Sequence, residues 1–284
     1  MIHVPFPEPA GPLWARWKAR AAAAQREIAP GAEPNGAVYR AVRRWLLIAY
    51  SKKCAYCERS IRGHSVRVDH FRPKVGILRN DGQAVRLRDA AAEHPGYYFL
   101  AYEWRNLLPT CEHCNVAKSN RFHTGNEYWA EKPQQLGTEE PLLVHPSHQD
   151  PAGLLLFTRD GLVHAAVKGD PKAGYLIDTL KLNREELRED RAEAWSDAEE
   201  EMDALLLRVR DPRRDQTEKF DQAVARYQAI QRGTVEFSAV RRLAVLPGEQ
   251  ALRDELAEQE RRRNRLLGSA SSPGPLTPRP PAPA

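Results

Sequence analysis

The sequence predicts an α+β fold that is predominantly helical, with a cysteine-rich region between two sets of helices. Three observations lead to this expectation. Apolar residues recur at helical spacing over the first 50 residues and again after Tyr175. A short apolar stretch stops at Asp160-Gly161 and then resumes, a pattern typical of a β-hairpin. The four cysteines of the chain form two Cys-x-x-Cys pairs in its first half.

The bulk composition constrains partners and location only loosely. The 284 residues include 43 Lys and Arg and 38 Asp and Glu, for a formal net charge of +5 and a pI near 9.0. Such a mild excess suits a polyanionic partner without indicating one. The first residues lack a basic stretch followed by an apolar one, and the longest apolar run, Trp45 to Tyr50, is far below the roughly 20 residues that span a bilayer. We therefore expect a cytoplasmic protein whose thiols stay reduced.

The predicted elements divide the chain into four segments. Residues 1–50 should form N-terminal helices, interrupted by a Pro/Gly/Asn stretch at 30–36. Residues 51–135 hold most of the Cys, His, Asn and aromatic residues, and we place the chemistry there. Residues 136–267 should form a hairpin followed by helices. The tail, residues 268–284, is rich in proline and is predicted to be disordered because it has little apolar surface to bury.

The helices after the hairpin have their own signals. Asn183 with Glu186 three residues later predicts a capping box at a helix start. Apolar residues then recur at helical spacing until Asp211-Pro212 interrupts them, and two further helices should follow. None of these helices carries a catalytic constellation. Their apolar faces suit either ordinary packing or a docking surface, and the sequence leaves both open.

The two cysteine pairs predict a structural metal site. Cys54-x-x-Cys57 and Cys111-x-x-Cys114 are separated by 53 residues. Each turn directs two thiolates at one point, and two turns complete a tetrahedral Zn²⁺ site with no open coordination position. The long gap predicts a functional insert between the pairs. The alternative is two unrelated pairs of free thiols. His113, between two of the cysteines, is surplus as a ligand and is expected at the surface.

Three short motifs near the cysteines suit phosphodiester hydrolysis. They are Val68–Lys74, Trp104–Leu108 and Cys111–Lys118. Hydrolysis requires a base, for which histidine is suited, and a cation that neutralises charge developing on the phosphate. His70 is the candidate base. Asp69 and Asn115 offer hard oxygen donors, which favour Mg²⁺ or Mn²⁺ over zinc.

This set of motifs resembles the HNH endonucleases, whose ββα-metal fold packs a β-hairpin carrying the base against a helix carrying a metal ligand. The resemblance implies that His70 is the general base, that Asp69 binds the catalytic metal and that Asn106 braces the hairpin loop. Asn115 stands where the family name has histidine, which moves the expected metal toward Mg²⁺. Lys118, one turn further along the helix, would contact a phosphate oxygen.

A narrower resemblance extends from about Tyr50 to Trp195. Residues 54–58, 69–74, 102–107 and 180–183 are similar to a bacterial subfamily found in retron and Septu-type antiphage systems, beside an ATPase partner. This similarity implies an endonuclease that acts on DNA, with RNA as the alternative substrate. It also implies a partner ATPase.

Other residues near the motifs have less specific signals. Arg72, Lys74 and Arg121 make the neighbourhood basic and are predicted to contact nucleic acid. His145 and His148 are assigned to a loop without a role because Pro146 prevents helical alignment. The aromatic residues of positions 97–104 could stack on bases but favour core packing. The rival function is a non-catalytic zinc-knuckle module that binds nucleic acid or a partner protein, for which a base beside an oxygen-donor site has no use.

Overall fold

The computed structural model describes residues 1–149, 151, 153–210 and 218–269. Its strands are β1 (Arg67–His70), β2 (Leu107–Thr110), β3 (Leu155–Phe157) and β4 (Val163–Ala165). Its α-helices are α1 (Pro12–Glu27), α2 (Gly36–Tyr39), α3 (Arg43–Ala49), α4 (Glu112–Lys118), α5 (Pro171–Thr179), α6 (Glu185–Arg210), α7 (Glu218–Arg232) and α8 (Ser238–Ser269). Helices account for about half of the chain and the four strands are short, which confirms the predicted α+β class with far more helix than strand.

The N-terminal helices pack on the region that follows them. Helix α1 begins with Pro12 in its first turn and buries Trp14 and Trp17 on one face. Asn35 caps α2 by accepting a hydrogen bond from the Ala37 amide. A 3₁₀ turn at Arg40–Val42 joins α2 to α3, so residues 36–49 form one helical run, which we call the 36–49 run. The buried side of this run shares an apolar cluster with α1, Tyr102, Trp104 and Leu107.

The central region is a two-stranded sheet followed by a helix. Strands β1 and β2 are antiparallel, with Asp69 opposite Leu108 and His70 opposite Leu107. Helix α4 starts two residues after β2 and returns along β1. Tyr97, Tyr102 and Trp104 are buried, as the packing interpretation of the aromatic stretch predicts, whereas Tyr98 and Phe99 are only partly buried.

The predicted hairpin is formed by β3 and β4, which pair antiparallel with Leu156 opposite His164. Gly161 lies in its turn at φ +80°, and a Cβ at this position would lie only 1.9 Å from the Arg188 carbonyl oxygen. Glycine is therefore required both by the backbone conformation and by the close approach of α6.

The predicted capping role of Asn183 is wrong. Its side-chain oxygen accepts from the Val163 amide at 2.8 Å and its amide donates to the Val163 carbonyl at 2.9 Å. Both polar groups of the side chain are thus used to hold β4, and α6 begins at Glu185 without them. A residue suited to capping a helix serves here as a substitute strand partner because it offers one donor and one acceptor.

The C-terminal helices α6, α7 and α8 share a separate apolar cluster that includes Met202, Leu205 and Ile230. Helix α8 runs from Ser238 to Ser269 and so ends inside the predicted tail, which was expected to begin at residue 268. The predicted break at Asp211-Pro212 and the rest of the tail, residues 270–284, lie outside the described residues. In the part of the chain that the structure describes, every helix is too short or too polar to cross a membrane.

Candidate functional site

The four cysteines converge on one buried point. One Sγ atom from each of Cys54, Cys57, Cys111 and Cys114 lies within 4.8 Å of all the others, and the Cys57 and Cys111 sulfurs are 3.8 Å apart. A tetrahedron of thiolates at about 2.3 Å from zinc has sulfur–sulfur edges of about 3.8 Å. The cluster can therefore hold a structural metal such as zinc, and four sulfurs fill the coordination shell.

Local backbone structure explains why the sulfurs meet. The first pair lies on a turn in which the Cys54 amide donates to the Arg59 carbonyl and Glu58 adopts a positive φ of 62°. The second pair lies at the start of α4, where the Cys111 sulfur accepts from the Cys114 amide at 3.4 Å. The Ala55 amide donates to the Pro109 carbonyl in β2, so the two turns are fastened together by backbone as well.

Arg184, at the start of α6, faces the cysteine cluster. Both terminal nitrogens of its guanidinium lie 3.9 Å from the Cys114 sulfur. Although burial lowers the pKa of Arg184, the thiolates of Cys114 and its neighbours raise it overall. Four thiolates around a divalent ion carry a net charge of −2, which this cation partly balances. The predicted metal centre thereby connects the central region to the C-terminal helices.

We expect Arg184→Gln to weaken metal retention by about 10- to 100-fold, the usual effect of removing a group that contacts a metal ligand. The measurement is the rate of zinc transfer to a chromophoric chelator. Arg188→Gln on the same helix is the matched control, because no sulfur contact involves Arg188 among the described residues. Equal rates of zinc transfer from both variants and from the unchanged protein would show that Arg184 does not help to retain the metal.

His70 is held by its Nε2 atom at the end of β1. It is 4% exposed, its Nε2 lies 2.9 Å from the Ala101 carbonyl oxygen, and the Tyr39 ring meets its ring edge-on at 4.8 Å. A carbonyl only accepts, so Nε2 carries the proton and Nδ1 keeps its lone pair. Burial lowers the pKa of His70 to about 3, so the neutral ring is its ordinary state. This is the tautomer and the charge that a general base requires.

Asp69 points to the other side of β1 and is already hydrogen-bonded. Its Oδ2 accepts from the Tyr56 hydroxyl at 2.8 Å and pairs with the Lys118 Nζ at 3.2 Å. Its Oδ1 lies 3.4 Å from the same Nζ. Burial raises the pKa of the Asp69 carboxyl and lowers the pKa of the Lys118 ammonium, and each charge opposes the shift of the other.

Lys118 does not have the surface position expected of a phosphate contact. Its side chain is fully buried, and its Nζ donates to the His70 carbonyl at 2.7 Å in addition to pairing with Asp69. A buried carboxylate requires a partner of opposite charge, and Lys118 on α4 is positioned to provide it. In this structure its role is to hold β1, and with it both candidate residues, against α4.

Asp69 and Asn115 carry side-chain oxygens of the type that binds Mg²⁺. Asn115, on the first turns of α4 after Cys114, has no side-chain hydrogen bond among the described residues, so its amide oxygen can ligate. Asp69 keeps 8% side-chain exposure, and the contact of its Oδ1 with Lys118 is long at 3.4 Å. Each carboxylate oxygen has two lone pairs. Mg²⁺ typically takes one or two protein oxygens and keeps several waters.

Asn106 braces the loop that orients His70. Its Oδ1 accepts from the Arg72 amide at 2.8 Å, and its Nδ2 donates to the carbonyls of Arg72 at 3.1 Å and Leu100 at 3.2 Å. Leu100 directly precedes Ala101, whose carbonyl holds the His70 ring. The buried amide thus joins the end of β1 to the segment that fixes the imidazole.

We expect Asn106→Ala to lower the free energy of unfolding by about 3 kcal/mol, because it leaves the amide and the carbonyl of Arg72 without a partner and removes one of the two hydrogen bonds to the Leu100 carbonyl. Urea unfolding followed by circular dichroism measures this loss. Asn126→Ala is the control: Asn126 is exposed and donates to the Thr138 carbonyl at 2.8 Å, a bond that water can replace. A similar small loss in both variants would show that Asn106 is not a brace.

Two of the three residues predicted to contact nucleic acid form ion pairs with carboxylates. The Arg72 Nε donates to the buried Glu139 at 2.8 Å, and its guanidinium lies between the rings of Tyr97 and Phe122. Lys74 pairs with Glu33 at 2.5 Å, a partly exposed pair that a phosphate could displace. The charge of Arg72 is therefore already balanced by a buried carboxylate, and its contact with nucleic acid stays a prediction. Arg121 is half-buried and donates to the Ala117 carbonyl.

Four residues of this site were not predicted from the sequence. Tyr56 donates to Asp69, Ala101 holds His70 by its carbonyl, Tyr39 packs on the His70 ring, and Glu139 accepts from Arg72. Tyr56 lies inside the first cysteine pair, where its position next to two ligands could have suggested a buried donor. Tyr39 and Glu139 lie far from the motifs in sequence, and Ala101 acts only through its backbone carbonyl, so none of the three carries a local signal. His113 is exposed, as predicted, and His145 and His148 stack on each other in a loop.

Comparison with known proteins gives partial matches. No family model matches the chain. The Septu protein PtuB of Bacillus mycoides (strain KBAB4) is 36% identical over 161 residues, which cover 56% of this chain and 52% of PtuB. The Septu protein PtuA of the same organism is 33% identical over 153 residues, which cover 52% of this chain and 20% of PtuA. The chain therefore has homologues among Septu proteins and spans about half the length of the first and a fifth of the second.

Proposed function

We propose that this chain is a metal-dependent endonuclease of the HNH type that hydrolyses phosphodiester bonds in DNA. The observation that carries this proposal is the fixed, neutral imidazole of His70. Its Nε2 is bonded to the Ala101 carbonyl, and it adjoins a carboxylate and a helix that begins in a four-cysteine cluster.

The role of His70 is to accept a proton from water. Its Nδ1 is the free acceptor, and the bond from Nε2 to Ala101 stabilises the imidazolium that forms. A pKa near 3 makes a weak base in the free protein. A bound phosphate would raise the pKa toward the operating range, because a nearby anion favours the charged ring. Substrate binding would therefore increase the basicity of His70 at the moment of use.

Asp69 and Asn115 would hold Mg²⁺, or Mn²⁺ in its place. When bound, the ion supplies the positive charge that stabilises the phosphate and the departing oxygen. Lys118 keeps the Asp69 carboxylate in place through Oδ2 and joins it to the His70 backbone. One buried ammonium thus links the Asp69 carboxylate to the backbone of His70.

The biological setting we propose is antiphage defence of the Septu type. The homology to PtuB and PtuA supports it. We further propose that an ATPase partner accompanies the nuclease, as the resemblance implies. The apolar side of the C-terminal helices is already used for packing among α6, α7 and α8, so docking would have to use their outer faces.

A non-catalytic nucleic-acid-binding or partner-binding module remains the second candidate. The observation that favours it is the ion pair of Lys118 with Asp69, which satisfies the carboxylate without any metal. In that case the pair would be purely structural and His70 an ordinary buried histidine. The two functions differ in one measurable property, the hydrolysis of DNA on addition of Mg²⁺.

The test is cleavage of supercoiled plasmid and of single-stranded DNA with Mg²⁺ or Mn²⁺, with zinc-loaded protein and with metal-free buffer as the reference. Metal-dependent cutting would support the nuclease. No cutting, either alone or with the partner ATPase added, would leave the binding module. RNA of the same sequence, run in parallel, decides between the two nucleic acids.

A further inference from the structure

The positive charge of this protein is concentrated at one end of the chain. Residues 1–57 contain nine Lys and Arg and three Asp and Glu, whereas the remaining residues contain 34 and 35. Between Pro34 and Cys57 there are five Lys and Arg and no acidic residue. The net charge of the whole chain therefore arises in the segment that contains α1, α2 and α3, outside the cysteine-bounded region.

The 36–49 run displays three of these charges on its outer side. Val38, Val42 and Leu46 are buried at helical spacing. Arg40 and Arg44, four residues apart, are exposed, and Arg43 is partly exposed. Among the described residues, no carboxylate lies within ion-pair distance of any of the three.

Several exposed arginines in the second half of the chain, by contrast, are paired with carboxylates. Arg159 pairs with Glu199 at 2.8 Å, Arg226 with Glu201 at 2.9 Å, and Arg253 with Glu249 at 3.1 Å. Arginines without an acidic partner keep their full charge and all their donors for an external anion.

A single ring connects this surface to His70. The Tyr39 ring meets the His70 ring at 4.8 Å, and the guanidinium carbon of Arg40 lies 5.6 Å from the centre of the same Tyr39 ring. Gly36 makes room for it, since a Cβ there would lie 2.5 Å from the Arg40 guanidinium. Arg40 and His70 thus both contact the Tyr39 ring.

We propose that the 36–49 run is the nucleic-acid backbone-binding surface of this protein, with Arg40, Arg43 and Arg44 binding phosphates and guiding a strand toward His70. A nucleic acid is favoured over an acidic protein because the surface ends at the candidate base and consists mainly of arginine and alanine. Protein interfaces are built around apolar anchors, and Ile48, at the far end of the run, is the exposed large apolar side chain on this side. The choice of partner rests on the proposed function.

The experiment measures binding without cleavage. The His70→Ala protein is titrated with a fluorescein-labelled DNA duplex in a Mg²⁺-free buffer, and anisotropy is followed over a range of salt concentrations. The test variant adds R40A, R43A and R44A. The control variant adds R159A, R226A and R253A, which remove the same charge from paired positions. Circular dichroism and zinc content verify that both variants are folded.

We expect the test variant to bind at least ~10-fold more weakly at ~0.1 M salt, and its salt slope to fall by about one for each phosphate that the protein no longer binds. The control should match the parent. Equal binding by test and control variants, or binding of polyglutamate as tight as that of the duplex, would overturn the proposal. If the wild-type protein cuts DNA while the test variant binds normally, the surface is wrong and the nuclease stands. If the three arginines prove necessary for binding but the wild-type protein cuts no DNA, the binding surface stands and the nuclease proposal fails.

Discussion

We expect His70→Ala to lower the rate of plasmid cleavage by about 100- to 10,000-fold, the usual contribution of a general base. The substitution removes the Nδ1 acceptor and leaves Asp69, Asn115 and the cysteine cluster in place. Mg²⁺-dependent nicking of supercoiled plasmid under single-turnover conditions measures the effect. Zinc content should be unchanged, because the His70 ring contacts Tyr39 and Ala101 and none of the cysteines.

His145→Ala is the matched control for this variant. His145 is 2% exposed, burial lowers its pKa to about 3, and its ring packs on Phe71 and His148. Both substitutions remove a buried, neutral ring, and both should reduce stability because packing around the ring is removed. Only His70→Ala should reduce the rate per folded molecule. Equal losses of rate in both variants would mean that the loss results from misfolding and not from removal of the base. Full activity of His70→Ala would mean that another residue is the base.

Local signals explain which parts of the site were predictable. The metal site of the two cysteine pairs was predictable, because each Cys-x-x-Cys turn sets its own geometry within four residues and two such turns together suit one tetrahedral metal ion. The hairpin around Asp160-Gly161 was predictable for the same reason, since its turn residues specify the backbone. The α+β class followed from the period of the apolar residues.

Long-range pairing explains what the sequence could not predict. Lys118 and Asp69 are 49 residues apart, and their ion pair depends on how α4 lies along β1. Arg72 and Glu139 are 67 residues apart, and the acid lies in a segment without a motif. Basic residues near a motif suggest phosphate contacts, but the sequence did not indicate that Arg72 has a buried carboxylate as its partner. A motif therefore gives residue types and their spacing, whereas the contacts of each residue depend on the fold.

Asn183 shows the same limit for a helix signal. The sequence at 183–186 fits a capping box, yet the Asn183 side chain forms hydrogen bonds with Val163 in β4, twenty residues earlier. Side chains with one donor and one acceptor serve either purpose, and only the fold decides which.

We expect Cys111→Ser to abolish stoichiometric zinc binding and to unfold the central region. Structural zinc contributes about 10–16 kcal/mol of apparent binding free energy at neutral pH, against a total stability of about 5–15 kcal/mol for a typical domain. The cluster fastens the first cysteine turn to the start of α4, and α4 carries Asn115 and Lys118. Loss of the metal should therefore release the helix that positions the candidate site, not only the four sulfurs.

Zinc content by mass spectrometry and far-ultraviolet circular dichroism measure the two effects. His113→Ala is the matched control: His113 lies between Cys111 and Cys114 in sequence, but its side chain is 57% exposed and faces Glu186. It should keep its zinc and its helical signal. A zinc-selective chelator added to the unmodified protein in excess Mg²⁺ should have the same effect as Cys111→Ser, because it removes zinc and leaves Mg²⁺ available. Retention of one zinc per chain by Cys111→Ser, or its loss from His113→Ala, would mean that the four thiolates are not the ligand set. The central region would then have to be held together by its apolar core alone.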